Sequence, residues 1–446
     1  MKTSKLDFLK GALIKNTLKL TSGSVINYII PIVTTPILTR IFTPSDYGVW
    51  GIFSSIATIL TVFVCGGYEY AIVESETEQE RNNVVKLCAG FCTLFNILLL
   101  LVFFIMRSLG SSLFDIGDLI FLVPLYLALT GYLSVLQNYS NAHQFYKSLA
   151  LSQIIAGLTL ALFRIVFGLL KIQDGLVYGA VLSSVATLGY LYIPSLKSGL
   201  KVFSKTDVNS IKEAVVKYKN YPLFDAPSTF IVYLSNNIPV LLLSRYFGKD
   251  LLGGYTMVLQ LLLLPMSFIG VNMGRVFFQQ ISNDKTIIPS TSHQVYKISY
   301  YLGLAIIVFF LLGGDYLLYW ILGKEWSIAG EYALYLSLWS FFTISYAPLK
   351  PIYRVKKKQN VQMIIMLISF IVQTSYLFIA ANLFDNISYV ILFYSIVCSL
   401  FKIVEGVVLK KMCNLSIGKD SSQLMVSMVI CAIWLVRSMF RVGVFR

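Results

Sequence analysis

Residues 37–50 read ILTRIFTPSDYGVW, and residues 242–255 read LLSRYFGKDLLGGY. Laid over one another without a gap, they pair Leu38 with Leu243, Thr39 with Ser244, Arg40 with Arg245, Phe42 with Phe247, Gly48 with Gly253 and Trp50 with Tyr255. The same offset brings Tyr28 onto Tyr233. Each stretch closes one long apolar run and opens the next, so one supersecondary unit has been used twice. The flanking runs say what that unit is. Of the 446 residues, 57% are hydrophobic and 13% charged, about half the charge of an ordinary soluble domain. Lipid offers the backbone no hydrogen-bond partner, so an apolar crossing is helical and about 20 residues long. Runs of that kind fall at 20–40, 48–73, 84–107, 118–140, 149–170 and 175–196, then at 222–247, 251–276, 296–322, 330–352, 360–384 and 386–410. The pattern predicts an all-α integral membrane protein of about twelve transmembrane helices. An even number of helices separates the two copies, so two six-helix lobes (1–205 and 206–412) should be related by a pseudo-twofold along the membrane normal.

The formal charge of +15 would suggest nucleic acid in a soluble protein, but here the basic residues sit in short loops, where they report orientation. Lys2, Lys5, Lys10, Lys15 and Lys19 precede the first run, which holds Pro31 and Pro36 and lacks a small-residue cleavage site. It reads as a retained first helix rather than a signal peptide. Counting alternate loops, Lys and Arg crowd on the side of the N-terminus, against Arg40, Arg107, Lys171, Arg245, Lys249 and Lys324 on the other. The N-terminus is therefore expected in the cytoplasm. The acidic run Glu74, Glu76, Glu78 and Glu80 goes against this trend. Residues 197–221 read as an amphipathic cytoplasmic helix, with Ile211, Ala214, Val215 and Tyr218 on one face and Lys212, Lys217 and Lys219 available to anionic headgroups. In the tail (413–446), the apolar stretch from Leu424 to Val436 is short for a crossing and is followed by Arg437, Arg441 and Arg446. An interfacial or re-entrant segment with Trp434 near the headgroups is expected.

Cys88 and Cys92 lie one helical turn apart and read as packing, and the six cysteines have no metal-ligand spacing. His143 and His293 fall in separate loops. Nothing pairs a nucleophile with a base, so the sequence reads as a transporter rather than an enzyme, with no metal and no nucleic-acid partner.

Several stretches carry a family likeness: PILTRIFTPSDYGVW (36–50), CGGYEYAIV (65–73), KYKNYPLFDAPSTFIVYLSNNIPVLLLSRYFG (217–248), GGYTMVLQLLLLPMSFIGVNMGRVFFQQIS (253–282) and SYAPLKPIYRVKKKQNVQ (345–362). In their order and spacing, over roughly residues 15–410, they resemble the polysaccharide flippase family. These are exporters of lipid-linked O-antigen and capsule repeat units, in the superfamily that also holds multidrug exporters and the lipid II flippase. The resemblance implies two lobes around a V-shaped central cavity. It implies a substrate, oligosaccharide linked to undecaprenyl diphosphate, moved by alternating access from the cytoplasmic to the outer leaflet of the bacterial inner membrane. Implied surroundings are membrane lipids and, as partners, a polysaccharide polymerase and chain-length machinery. No cofactor is implied beyond a coupling H+ or Na+. A multidrug or cation antiporter of the same superfamily is the alternative; a membrane polymerase or glycosyltransferase is a third reading, without the large outer loop or soluble domain such enzymes need.

A diphosphate must be screened from hydrocarbon, and arginine suits phosphate because its fork of donors stays charged. The candidates are Arg40, Arg164, Arg245 and Arg275. Headgroup anchoring is the plainer reading of the matched pair Arg40 and Arg245, and a structural ion pair that of Arg164. Helix 1 (Ser22, Ser24, Asn27, Thr34, Thr35) and helix 7 (Ser228, Thr229, Ser235, Asn236, Asn237) are too polar to face lipid all round. Asp315, Glu69, Asp225 and Asp46 are the candidates for ion coupling or gating, whereas Glu405, three residues after Lys402, is expected to pair with it.

Overall fold

The computed structural model describes residues 29–110, 116–200, 208–415 and 421–443. Tyr28, Ser22, Ser24, Asn27, the N-terminal lysines, Lys201, Lys205, Lys419 and Arg446 lie outside the described residues. Within them every regular element is helical and none is a strand. In chain order these are α1 (Ile29–Ile41), α2 (Pro44–Val64), α3 (Glu78–Ser108), α4 (Leu122–Ala142), α5 (Tyr146–Leu169), α6 (Gly175–Lys197) and α7 (Val208–Lys217). A continuous run Ala226–Asn283 follows, broken at Gly248 (φ 79°, ψ 173°) into α8 (226–247) and α9 (249–283). Then come α10 (Ile288–Phe309), α11 (Asp315–Leu322), α12 (Ser327–Tyr346), α13 (Gln359–Leu383), α14 (Ile387–Met412) and α15 (Ser421–Val442).

Ten described stretches are long and apolar enough to cross a membrane. The 62-residue stretch Tyr221–Ser282 would be about 90 Å long if straight, three times the hydrocarbon thickness. The Gly248 break turns it into two crossings. Large apolar side chains are exposed along these helices, Leu94, Ile97, Leu98, Leu101 and Phe104 on α3 among them. Such a face is stable only against lipid. The protein is a multi-pass membrane protein.

Most predicted boundaries fall within a few residues of those observed; the run expected at 296–322 instead starts at Ile288 and is broken at Gly313 into α10 and α11, and two further differences stand out. Helix 2, expected to reach residue 73, ends at Val64, because Gly66 and Gly67 take left-handed conformations (φ 59° and 80°). The tail forms a helix of 22 residues, about 33 Å long, and its apolar part is long enough to cross. Trp434, expected near the headgroups, is instead 1% exposed, with its indole N–H donating to the Leu334 carbonyl at 2.8 Å.

The chain divides into two compact units. One holds residues 29–42 and Val49–Asn237, the other Thr43–Gly48 and everything from Ile238. The described residues 208–237, assigned by sequence to the second half, thus group with the first. In that unit α6 packs on α5 and α4, and α3 packs on α4. The acidic run explains itself here. Glu80 accepts from Lys217 at 2.5 Å and from the Tyr218 hydroxyl at 2.9 Å, docking α7 on the start of α3. Glu78 accepts from Arg81 at 2.6 Å and the Tyr139 hydroxyl at 2.7 Å, and lies 3.1 Å from the His143 ring. Lys217, expected at anionic headgroups, is thereby engaged within the protein.

In the second unit α12 is central, buried along most of its length between α10 and α14. Small hydroxyls stitch it to its neighbours, as between membrane helices generally: Ser395 donates to the Tyr335 carbonyl at 2.6 Å and Ser299 to that of Ser345 at 3.0 Å. The same unit holds the meeting of the two repeat motifs. A Cβ on Gly48 would collide with the backbone carbonyl of Lys249, and one on Gly253 with that of Pro44. The repeat aligns Pro44 with Lys249 and Gly48 with Gly253, so the contact is reciprocal, as a local twofold between the two motifs requires.

No side chain fits at either glycine. Gly48→Ala and Gly253→Ala should each cost about 1–3 kcal/mol by overpacking, read as a lower melting temperature of the purified protein in detergent. Gly189→Ala, where the added Cβ meets open space, should melt at or above the wild-type temperature.

Candidate functional site

Three of the four candidate arginines are exposed and one is buried. Arg40 ends α1 and donates to the Pro36 carbonyl at 2.9 Å. Arg245, its repeat partner, is exposed in the last turn of α8 before the Gly248 break, and Arg275 is exposed on α9. Arg164, on α5, is 4% exposed. Its Nε donates to the Leu176 carbonyl at 3.2 Å, and its guanidinium lies 4.3 Å from the centre of the Trp50 ring. A carbonyl and an indole face are favourable for a buried cation that cannot lose its proton. This arginine ties α2 to α5 and α6.

The acidic candidates separate by what holds them. Asp46 forms a capping box at the start of α2: its Oδ2 accepts from the Thr43 N–H and hydroxyl, both at 2.8 Å, and its own N–H donates to Thr43 Oγ1 at 3.4 Å. Asp225 is exposed in the turn that opens α8. Glu69 follows the Gly66–Gly67 turn, and its Oε2 is buried without a hydrogen-bond partner. Burial pushes its carboxyl above the usual carboxylate range, against the backbone N–H groups of Gly67 and Glu69, which favour the anion. Glu405 is paired as expected, with Lys402 at 2.9 Å, and also with Lys350 at 3.3 Å.

Asp315 is the most buried of these acids, at 1%. It begins α11 just after Gly313, whose φ of 117° breaks the helix from α10. Only glycine adopts that conformation without strain. The break disturbs the ladder of hydrogen bonds, which its own helix no longer completes at Leu311. Arg437 of α15 does so instead: one nitrogen donates to the Leu311 carbonyl and another to Asp315 Oδ1 at 2.7 Å. Arg441 stands behind it, with Nε 3.9 Å from Asp315 Oδ2.

In the sequence Arg437 and Arg441 follow an apolar run, and Asp315 stands among the candidates for ion coupling or gating. The available signal was that α15 becomes long enough to cross if two arginines are admitted, and that a buried acid near a double glycine needs a cation. The structure brings these together. Lys350 was likewise missed as a partner of Glu405, because a proline-rich turn, not helical spacing, delivers it.

The fold, helical and multi-pass in two compact units, is one found in transporters of known structure. The "Lipid II flippase MurJ, inward closed conformation" superposes with a TM-score of 0.73 at 12% identity, covering 96% of this chain and 99% of that one. A MOP superfamily transporter from Pyrococcus furiosus superposes with a TM-score of 0.58 at 14% identity, covering 90% and 95%. An inward-facing multidrug resistance MATE family transporter of the MOP superfamily gives 0.58 at 15% identity, covering 86% and 96%. At such identities the likeness is one of fold. No curated protein matches the sequence. The family described as polysaccharide biosynthesis protein matches residues 13–283, more than half of the chain. The chain belongs to that family.

Two outcomes follow from the acids. Asp315→Asn and Arg437→Gln should each lower the melting temperature, because each leaves a partner buried without its counter-ion. The double variant Asp315→Asn/Arg437→Gln should recover most of the loss of stability and of transport. A carboxylate needed for ion coupling would not be rescued by removing its arginine. For Glu69, a carboxyl raised by burial keeps its proton in the folded state over a pH range where the unfolded chain has released it. Stability is therefore lost as pH rises from the ordinary carboxylate value through the raised one. Glu69→Gln should melt close to the wild type below that window and above it at higher pH.

Proposed function

We propose that the protein is a flippase that carries oligosaccharide linked to undecaprenyl diphosphate from the cytoplasmic to the outer leaflet of a bacterial cytoplasmic membrane, for surface polysaccharide synthesis such as O-antigen or capsule. The observation that carries this reading is membership of the polysaccharide biosynthesis family in a chain whose fold matches a lipid II flippase over nearly its whole length. The N-terminus lies in the cytoplasm, in accord with the basic loops, and the action is transport, without a catalytic step.

Arg40 and Arg245 are the first contacts for the diphosphate. They occupy matching positions in the two motifs and are exposed, as a group that meets a transported ligand must be. Arg275 adds a third exposed guanidinium. Arg164, held by Trp50 and Leu176, contributes by fixing α2 and α5 rather than by touching substrate. An inside-negative potential favours outward movement of anions by about 2.3 kcal/mol per charge per 100 mV, so two phosphate charges gain about 4 to 5 kcal/mol across the full field. A coupling ion adds to this drive where one is used. Glu69 is the carboxylate suited to exchange a proton, and Asp225 is the other acid without a structural task assigned above. Asp46 and Asp315 serve the helix start and the helix break. A cation antiporter would need acids facing its cargo, and the engagement of Asp46, Asp315 and Glu405 within the protein weighs against that second reading.

In a strain lacking the gene, lipid-linked glycan should accumulate in the inner leaflet, and the wild-type gene should restore its export. Arg40→Ala/Arg245→Ala, confirmed to insert at normal levels, should reduce export at least tenfold, with retained Trp fluorescence and melting temperature. Full export by this variant would exclude the cationic route.

A further inference from the structure

The clasp at the Gly313 break holds more positive than negative charge. Asp315 meets two arginines of α15, Arg437 at 2.7 Å and Arg441 at 3.9 Å. Arg437 is fully used by the carboxylate and the Leu311 carbonyl. Arg441 is beyond hydrogen-bond reach of the carboxylate. It donates instead to the Tyr316 hydroxyl at 3.2 Å and lies 4.8 Å from the centre of that ring. Glu331 of α12 accepts from the Tyr335 hydroxyl at 2.7 Å and, among the described residues, makes no ion pair with either arginine. Arg441 is therefore the guanidinium of the clasp with no carboxylate at hydrogen-bond distance. It cannot be discharged by deprotonation, and an uncompensated cation close to hydrocarbon is expensive.

The surroundings place this charge at headgroup depth. Tyr316 is 58% and Trp320 76% exposed on α11, and exposed tyrosine and tryptophan mark the boundary between hydrocarbon and water. Along α15 the exposed apolar side chains Met425, Val429, Ile433, Val436 and Phe440 form a strip that ends beside Arg441. An ionic group at one end of an apolar strip is the outline of a phospholipid.

We propose that Arg441, together with Tyr316 and Trp320, forms a binding site for the phosphate of an anionic membrane phospholipid whose acyl chain lies along α15. The guanidinium fork binds phosphate oxygens directly, the Tyr316 hydroxyl donates alongside it, and the bound anion brings the clasp to neutrality. A zwitterionic lipid carries its own cation, so it relieves less of the surplus and binds less well. The site is separate from the route proposed for the transported glycan.

Trp320 is a reporter built into the site. Its signal is the fluorescence lost in Trp320→Phe, measured on the full chain in neutral detergent. Phosphatidylglycerol with brominated chains should quench that signal at a several-fold lower mole fraction than brominated phosphatidylcholine. Millimolar inorganic phosphate should leave the quenching unchanged. Arg441→Gln should bring the two lipids level, and Arg441→Lys should keep part of the preference, with both variants melting near the wild-type temperature because Arg437 still holds Asp315. Equal quenching by the two lipids in the wild type would overturn the proposal, as would a preference that survives in Arg441→Gln. Relief of quenching by inorganic phosphate would assign the site to free phosphate rather than lipid.

Discussion

A carbonyl released by a helix break has to find another donor, and the Gly313 break shows what that demand costs in residues. Leu311 loses a regular partner, Arg437 supplies one, and the charge brought in with the guanidinium is balanced by Asp315. Each step requires the next. The break lets α10 and α11 change direction against α12, where Gly330 leaves room only for the Asp315 backbone. The arginine that repairs it fixes α15 to the second unit, helped by Trp434 on the Leu334 carbonyl and by Tyr300 on the Gln423 carbonyl at 2.9 Å. The last helix is thus part of the unit's interior chemistry and not an appendage.

The same economy governs the first unit. An acidic run that runs counter to the orientation rule becomes intelligible once Glu78 and Glu80 are seen to gather Arg81, His143, Tyr139, Lys217 and Tyr218. Charges that look like signals to the membrane are in part signals between helices. Arg40, Arg245 and Arg275 remain exposed, and they are the ones assigned to an anionic cargo.

Much of the fold was legible in the sequence. Apolar length and the scarcity of charge located the helices, because burial in lipid is a local requirement that each stretch must meet by itself. The duplicated motif was legible too, and its glycines mattered more than its arginine for the fold: Gly48 and Gly253 are the positions where backbone meets backbone. The candidate site was less legible. Glu405 with Lys402 could be read from spacing on one helix. Asp315 with Arg437 could not, since the two are 122 positions apart and no helical period connects them.

Composition, length and motif are properties of the chain read in order, and from them follow a helical membrane protein, a motif that occurs twice and membership of a polysaccharide biosynthesis family. Which charges are engaged follows from packing alone. Asp46 caps a helix, Asp315 answers an arginine from the tail, Arg164 lies under an indole, and Glu69 is buried with an oxygen unsatisfied. The reason is physical: in a medium of low dielectric the meaning of a charge depends on its partner, and partners are set by packing rather than by position in the chain.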